Sequence, residues 1–108
     1  MGRKKENEAE LGHQQAGGGD KADEIDSILK QRSSTHGDYI EQAYITQVLK
    51  NIVHGQRQWN DLSAPMRESL DMICHKMGRI MSGDPCTKDH WIDIAGYAKL
   101  IADRLPQK

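Results

Sequence analysis

The stretch from Ser63 to Gly83, SAPMRESLDMICHKMGRIMSG, decides the fold class of this chain. Ser63 is a favourable N-cap and Pro65 suits a first helical turn, so we predict a helix that runs to about Met81. At about 100° per residue, its apolar side chains fall within one arc and its charged side chains on the opposite arc. The apolar arc comprises Met66, Leu70, Ile73, Cys74, Met77, Ile80 and Met81. The stretch therefore predicts an amphipathic helix whose apolar arc faces a core.

A second amphipathic helix is predicted after the break at residues 82–85. Thr87 is its expected N-cap, Asp89 lies in the first turn near the positive helix end, and the helix runs to about Arg104. Asp89, Asp93 and Gly96 share one arc, with Tyr97 and Leu100 near them. The apolar arc comprises Trp91, Ile94, Ala95, Ala98, Ile101, Ala102 and Leu105.

Two helices are predicted upstream. One runs from Lys21 to Gln31 and is broken by the Ser, Thr, Gly and Asp residues at 33–38. The other runs from Tyr39 to His54, with Gly55 as its stop. Its stripe at i, i+4, i+8 spacing, expected to face the core, consists of Ile40, Tyr44, Val48 and Ile52. Residues 56–62 are interpreted as a linker.

These elements predict an all-α fold, a small bundle of about four helices. Residues 1–21 contain three consecutive glycines and almost no aliphatic residue, so we predict a disordered tail there and a single helical domain over residues 22–108. A domain of this size buries a small core, and many such domains gain stability by oligomerising.

Composition excludes several classes of protein. The net charge of −1, from 15 basic and 16 acidic residues, argues against direct DNA binding. Without an apolar stretch long enough for a signal peptide or a bilayer span, a cytoplasmic protein with reduced thiols is expected. Zinc is disfavoured, because Cys74 and His75 are neighbours that point about 100° apart.

Acidic residues recur on the polar arcs of the last two helices. Glu68 and Asp71 are spaced i, i+3, while Asp89 and Asp93 are spaced i, i+4. A solvated polar face is the simplest interpretation. Like charges at these spacings repel, however, and a divalent cation would offset the repulsion, as could Arg79 or Lys76. Carboxylate ligands favour Mg²⁺, with Mn²⁺ as an alternative, and such a site typically serves phosphate chemistry.

Other polar residues complete the predicted site. Lys76 and Arg79, or Lys50, could neutralise charge that develops on a phosphate. Gly96 is costly in mid-helix, which suggests close approach by a ligand or another helix, and Tyr97 lies beside it. His36 and Asp38, in the segment Thr35-His36-Gly37-Asp38, are candidate ligand contacts; alternatively, Asp38 is simply an N-cap and His36 a locally hydrogen-bonded loop residue.

Three segments together, Thr35–Asp38, Glu68–Ile80 and Asp89–Ala98, resemble a family of small proteins encoded by tailed phages and prophages, across about residues 28–104. More distantly, the arrangement is similar to the MazG-like all-α nucleotide pyrophosphohydrolases, whose Mg²⁺ ligands form an ExxE pair and an ExxD pair. Here the corresponding pairs are an ExxD and a DxxxD. The resemblance implies a dimer or tetramer in the cytoplasm of a host bacterium.

Two functions follow as expectations. The first is a Mg²⁺-dependent nucleoside triphosphate pyrophosphohydrolase or nucleotide-binding protein, with Glu68, Asp71, Asp89 and Asp93 as metal ligands. In it, His75 orients water and Lys76 or Arg79 holds phosphate. The alternative is a catalytically inactive phage protein that sequesters a nucleotide or inhibits a host protein. A helical adaptor without a small ligand was the third hypothesis.

Overall fold

A computed structural model describes residues 19–107 of the chain, with side chains from Lys21 onward. It confirms the all-α fold: residues 19–107 contain four α-helices and no strand. In chain order the elements are α1 (Gly19–His36), α2 (Tyr39–His54), a short 3₁₀ helix (Arg57–Asp61), α3 (Ala64–Ser82) and α4 (Lys88–Ala102).

The predicted caps set the ends of α2 and α3. The Asp38 carboxylate accepts a hydrogen bond from the Glu41 amide at 3.1 Å, and the Ser63 hydroxyl accepts one from the Met66 amide at 3.4 Å. These side chains satisfy backbone amides that the first helical turn leaves without a partner. Gly55 ends α2 as predicted. α4 follows Thr87 as predicted and ends at Ala102, two residues earlier than expected.

The predicted end of α1 at Gln31 was wrong, because the helix continues to His36. Its terminator is Gly37, whose φ of 84° lies in the left-handed region, and whose amide donates to the Ser33 carbonyl at 3.0 Å. Ser33 to Thr35 are weak helix formers, but one glycine at the end decides the boundary more strongly than they do. The predicted tail, residues 1–21, lies outside the described residues except for its last three, which belong to α1.

The chain divides into two compact units, one up to Arg32 and the other from Ser33 onward. Within the second unit, α3 packs against α2 on one side and against α4 on the other. Both neighbours run antiparallel to α3: the start of α2 lies at Gly78, and its end lies at Asp71. The second unit is therefore built on a row of three helices with α3 in the middle.

The contact between α2 and α3 depends on Gly78. A Cβ added there would collide with the Thr46 hydroxyl and would lie 3.2 Å from the Gln42 carbonyl oxygen. Gln42 and Thr46 are both buried, with 4% and 3% of their surface exposed. The side of α2 that meets α3 is therefore its polar Gln42–Thr46 line.

The prediction that the apolar stripe of α2 faces the core was wrong, because the polar Gln42–Thr46 line of α2 meets α3 instead. Ile40, Tyr44, Val48 and Ile52 are exposed, by 77%, 70%, 38% and 59% respectively. On α3, Cys74 and Ile80 are buried as predicted, but Leu70, Met77 and Met81 of the same arc are exposed. The core predicted from the apolar stripes is thus only partly formed within one chain.

Among residues 19–107, none of the helices combines the length and the apolar character needed to cross a bilayer.

Replacement of Gly78 by alanine should destabilise the protein by about 1–3 kcal/mol, because the added methyl group forces α2 away from α3. Gly96 is the matched control, since it lies inside α4 and a Cβ there meets nothing within 4 Å. Gly96→Ala should stabilise the protein by up to about 1 kcal/mol through helix propensity alone. Chemical denaturation of both variants measures the difference. Equal effects of the two substitutions would contradict the close packing at Gly78, whereas partial rescue of Gly78→Ala by Thr46→Ala would support it.

Candidate functional site

The end of α1 is held against the end of α3 by two hydrogen bonds. The Ser82 hydroxyl lies 2.9 Å from the His36 carbonyl oxygen, to which it donates, and the Asp84 amide donates to the Thr35 carbonyl at 3.1 Å. The two residues of each pair are 46 or more positions apart in the chain. These bonds therefore hold the segment Thr35–Asp38 against residues that directly follow the segment Glu68–Ile80.

Glycines allow the two loops to approach each other this closely. A Cβ on Gly37 would overlap the Ser82 carbonyl, and a Cβ on Gly83 would overlap the Thr35 carbonyl. Both obstacles are backbone atoms, which cannot rotate away as a side chain can. No other residue type fits Gly37, whose positive φ adds to this restriction.

His90 brings the start of α4 to the same junction. It is 1% exposed, and its Nε2 donates to the Thr35 carbonyl at 3.4 Å. Its ring lies 5.0 Å from the His36 ring, centroid to centroid. His36, predicted as a ligand contact or a locally bonded loop residue, thus lies half-buried at a junction of α1, α3 and α4.

A buried ion pair joins α3 to α4. The Lys76 ammonium lies 3.1 Å from a carboxylate oxygen of Asp93, and the Lys76 side chain has no exposed surface. Arg79, one turn further along α3, is 4% exposed. Burial of these charges carries a desolvation cost that a well-packed apolar pair would not incur. The Lys76 ammonium is therefore buried against Asp93 in the described chain, and its predicted contact with phosphate stays a prediction.

The polar arc of α3 forms one face of the three-helix row. Asp71 and Gly78 point towards α2, while Ser69 and Lys76 point towards α4, roughly 180° away. Helical geometry then leaves His75 on one side of the row, at about 40° from Arg79. We define the polar face by Lys50 and His54 of α2 with Asp71, His75 and Arg79 of α3.

One edge of the polar face is a histidine–carboxylate pair. A ring nitrogen of His54 lies 2.6 Å from the Asp71 carboxylate, and both side chains are partly exposed. The His54 ring also stacks on Trp59, with centroids 4.2 Å apart. Arg67 donates to the carbonyls of Trp59 and Asn60, which holds the 3₁₀ helix in place. The Asp71 carboxylate is thus already engaged within the chain.

His75 lies at the centre of the polar face, close enough to three positively charged side chains for their charges to affect it. Burial, followed by the charges of Arg79, Lys76 and Lys50, lowers the pKa of His75 to about 4. The side chain is therefore neutral at pH 7, as a residue that orients water would have to be. For the neighbouring Cys74, burial and then the Asp71 charge raise the pKa of the thiol, which keeps it protonated at neutral pH.

The four predicted metal ligands do not assemble into a metal site within one chain. Asp71 pairs with His54 and Asp93 pairs with Lys76, while Glu68 and Asp89 are exposed. Over the part of the chain that the structure describes, no group of three or more His, Cys, Asp or Glu side chains is arranged to hold a metal ion. Within residues 19–107 of one chain, the predicted ligands are therefore not grouped around one point as the resemblance implied for Mg²⁺.

The remaining predicted site residues are Asp38, Gly96 and Tyr97. Asp38 is the N-cap of α2. Gly96 is exposed, and the described chain contains no close approach to it. Tyr97 is buried against α3 and lines an apolar cleft of about 220 Å³ together with Ser69, Ile73 and Ile101. These three residues are not gathered on the polar face.

Three residues that shape the site were not predicted from the sequence: His54, Gly78 and His90. His54 and Asp71 are 17 positions apart, and His90 lies 55 positions from Thr35, so no helical spacing links them. Gly78 had a local signal, a glycine in mid-helix. Gly96 carried the same signal, and only the packing distinguishes the two glycines.

Comparisons with models of protein families, with curated proteins and with solved structures gave no match.

Lys76→Met should destabilise the protein by about 3–5 kcal/mol, because it leaves the Asp93 carboxylate partly buried beside an apolar group. Adding Asp93→Leu to this variant should recover part of the loss, since the pair is then replaced by apolar side chains. The free energy of unfolding of both single variants and of the double variant tests this in a double-mutant cycle. Strict additivity of the two substitutions would show that the ion pair does not couple α3 to α4.

The His75 environment predicts a stability that falls as the solution becomes acidic. The folded-state pKa lies below the ordinary value of 6.5, so the unfolded chain binds the proton first as the pH falls. Between pH 6.5 and pH 4 the protein should lose up to about 3 kcal/mol from this group. Unfolding measured across this range should show a shallower dependence for His75→Gln than for the wild type. An unchanged slope in the variant would contradict the assignment to His75.

Proposed function

We propose that this protein binds a nucleotide, with the phosphate groups lying on the polar face beside Lys50, His75 and Arg79. The observation that supports the proposal most directly is the presence of three cationic side chains near His75: the charges of Arg79, Lys76 and Lys50 lower its pKa, after burial as the largest cause. Positive charges beside His75 favour a negatively charged group in the same place, whereas burial alone disfavours a charge of either sign.

The polar face suits phosphate for a further reason. Its cations come from two helices that are held in register by the Gly78 contact, so their spacing is set by the fold rather than by loops. Lys50 and His75 are partly exposed, whereas Arg79 is buried, so that its charge acts from inside the protein. The choice of a nucleotide among phosphate compounds rests on the resemblance of the three motif segments described above.

Binding is a better-supported proposal than Mg²⁺-dependent hydrolysis. Metal-dependent chemistry would require three or more ligands around one ion, and the described residues of one chain do not provide such a group. Pyrophosphohydrolase activity remains a prediction, and it would need ligands from another chain or a rearrangement of Asp71 and Asp93.

The proposal includes a homo-oligomer, acting in the cytoplasm, where nucleoside triphosphates are found. Among the described residues only Cys74, Ile80 and Tyr97 are buried apolar side chains. This is a small core for a stable domain, and association with further copies would enlarge it. A phage origin and a host protein target come from the resemblance alone and stay predictions.

The test is a thermal shift and calorimetric titration of the full chain with a panel of nucleoside and deoxynucleoside triphosphates, monophosphates and inorganic pyrophosphate. A nucleotide that binds should raise the melting temperature in proportion to its occupancy. Lys50→Gln should weaken that nucleotide about tenfold, because one partly exposed charge near the phosphate is removed. Lys88→Gln is the matched control, since Lys88 is exposed at the start of α4.

The outcomes separate the hypotheses. Binding that Lys50→Gln weakens and Lys88→Gln leaves intact supports the proposal. The proposal fails if no member of the panel shifts the melting temperature, or if the two variants bind alike. Release of pyrophosphate from a triphosphate in the presence of Mg²⁺ but not in its absence, lost in Asp71→Ala, would establish the hydrolase instead.

A further inference from the structure

The apolar cleft of about 220 Å³ lies between the first half of α3 and the second half of α4. Met66, Ser69 and Ile73 line it from α3, and Tyr97 and Ile101 line it from α4. Apart from Ser69 and Tyr97, every lining residue has an aliphatic or thioether side chain. Such a wall disfavours a charged ligand, because a charge inside it would lose its hydration without gaining a partner.

Two small side chains leave the cleft unfilled. Ser69 lies two helical turns before Lys76 on the same side of α3, and Ala98 lines the cleft from α4. Neither side chain is long enough to fill the space between the two helices, and the atoms that line an empty space lose packing contacts. Leu70 and Ala98 are exposed, so the cleft opens to the surface and a ligand can enter it.

The wall contains a buried hydroxyl group that the protein leaves without a partner. Ser69 is 7% exposed, and its hydroxyl makes no hydrogen bond to any residue that the structure describes. A helical serine often donates to the carbonyl four residues earlier, as Ser82 does to Gly78 at 2.9 Å. Buried polar groups without partners are costly and therefore rare in folded proteins. The Ser69 hydroxyl is thus available to a molecule that enters the cleft.

We propose that the cleft binds a neutral, largely apolar small molecule of roughly ten non-hydrogen atoms, whose single polar group pairs with the Ser69 hydroxyl. An apolar cavity of about 150 Å³ is large enough for benzene, so the cleft has room for a ring with a short chain. A mainly apolar pocket with a few fixed polar groups is the usual form of a small-molecule site. Because a serine hydroxyl both donates and accepts, a hydroxyl or a carbonyl on the ligand satisfies it.

The cleft is separate from the proposed nucleotide site. None of the five residues that define the polar face lines the cleft. Nucleotides also carry charged phosphates, which the apolar wall disfavours. The small-molecule site therefore goes beyond the proposed function, and either proposal can fail without the other.

The experiment is an NMR titration of the full chain, isotope-labelled at its methionine methyl groups. The probes are para-propylphenol, propylbenzene and the phenylpropanoate anion. Met66 lines the cleft whereas Met72 and Met81 do not, so the Met66 methyl signal reports binding and the other two are internal controls. Propylphenol should shift the Met66 signal to saturation, and the anion should leave it unchanged.

Ser69→Ala tests the hydrogen bond. The preference for propylphenol over propylbenzene, expressed as the ratio of their Kd values, should fall about fivefold in this variant, because only the phenol can pair with Ser69. The ratio removes the difference in hydrophobicity between the two probes. Without ligand, Ser69→Ala should not lower the melting temperature, since the hydroxyl has no partner to lose.

Ala98→Leu tests the location. The larger side chain should fill the cleft and abolish the Met66 shift with every probe. Ala95→Leu is the matched control, because Ala95 is also exposed on α4 but does not line the cleft. It should bind the probes as the wild type does.

Saturable binding that weakens in Ser69→Ala and disappears only in Ala98→Leu supports the proposal. No saturable Met66 shift, an unchanged ratio in Ser69→Ala, or equal binding by the two leucine variants would overturn it. The Met66 signal of the ligand-free protein could instead move on dilution while the probes have no effect. That result would show that another protein chain fills the cleft, and it would overturn the proposal too.

Discussion

The position of α3 between two antiparallel neighbours is the constraint on which the rest of the second unit depends. A helix with partners on opposite sides makes its contacts along two lines about half a turn apart, and on α3 these lines contain Gly78 and Lys76. Neither line coincides with the apolar arc. The apolar arc is left pointing out of one side of the row and the polar arc out of the other, and both faces of the molecule follow from this.

The contact lines are polar, and this has energetic consequences. The Thr46 side chain packs against Gly78, where α3 itself has no side chain, so the gain comes from close packing of the two helices rather than from apolar burial. Towards α4, the buried Lys76 needs a carboxylate close by, and Asp93 meets that need at 3.1 Å. If α4 were rotated so that its apolar arc faced α3, the Lys76 ammonium would stay buried without the Asp93 carboxylate beside it. The cost would be several kcal/mol. The ion pair thus selects which side of α4 faces α3.

Two kinds of surface are thereby separated within a chain of 108 residues. The polar face contains Lys50, His75 and Arg79, where the charges of Lys50 and Arg79 help to lower the pKa of His75, whereas the opposite side of the row exposes apolar side chains. The end of α1 meets the end of α3 at one end of the row, where His90 and His36 also lie close together.

The sequence by itself determined the helices of this protein. Caps at Asp38 and Ser63 and the stop at Gly55 act through bonds between residues at most four positions apart, so they could be identified in the sequence, and the approximate bounds predicted for α2 agree with the structure. The division of α3 and α4 into an apolar arc and a polar arc was also predicted from the sequence. Only the tertiary structure decided which arc is buried, that Lys76 pairs with Asp93 and His54 with Asp71, and that the predicted carboxylates do not converge. These outcomes depend on which side of each helix meets its neighbour. That choice is made by contacts between residues 17 to 55 positions apart, which periodicity within a single helix does not record.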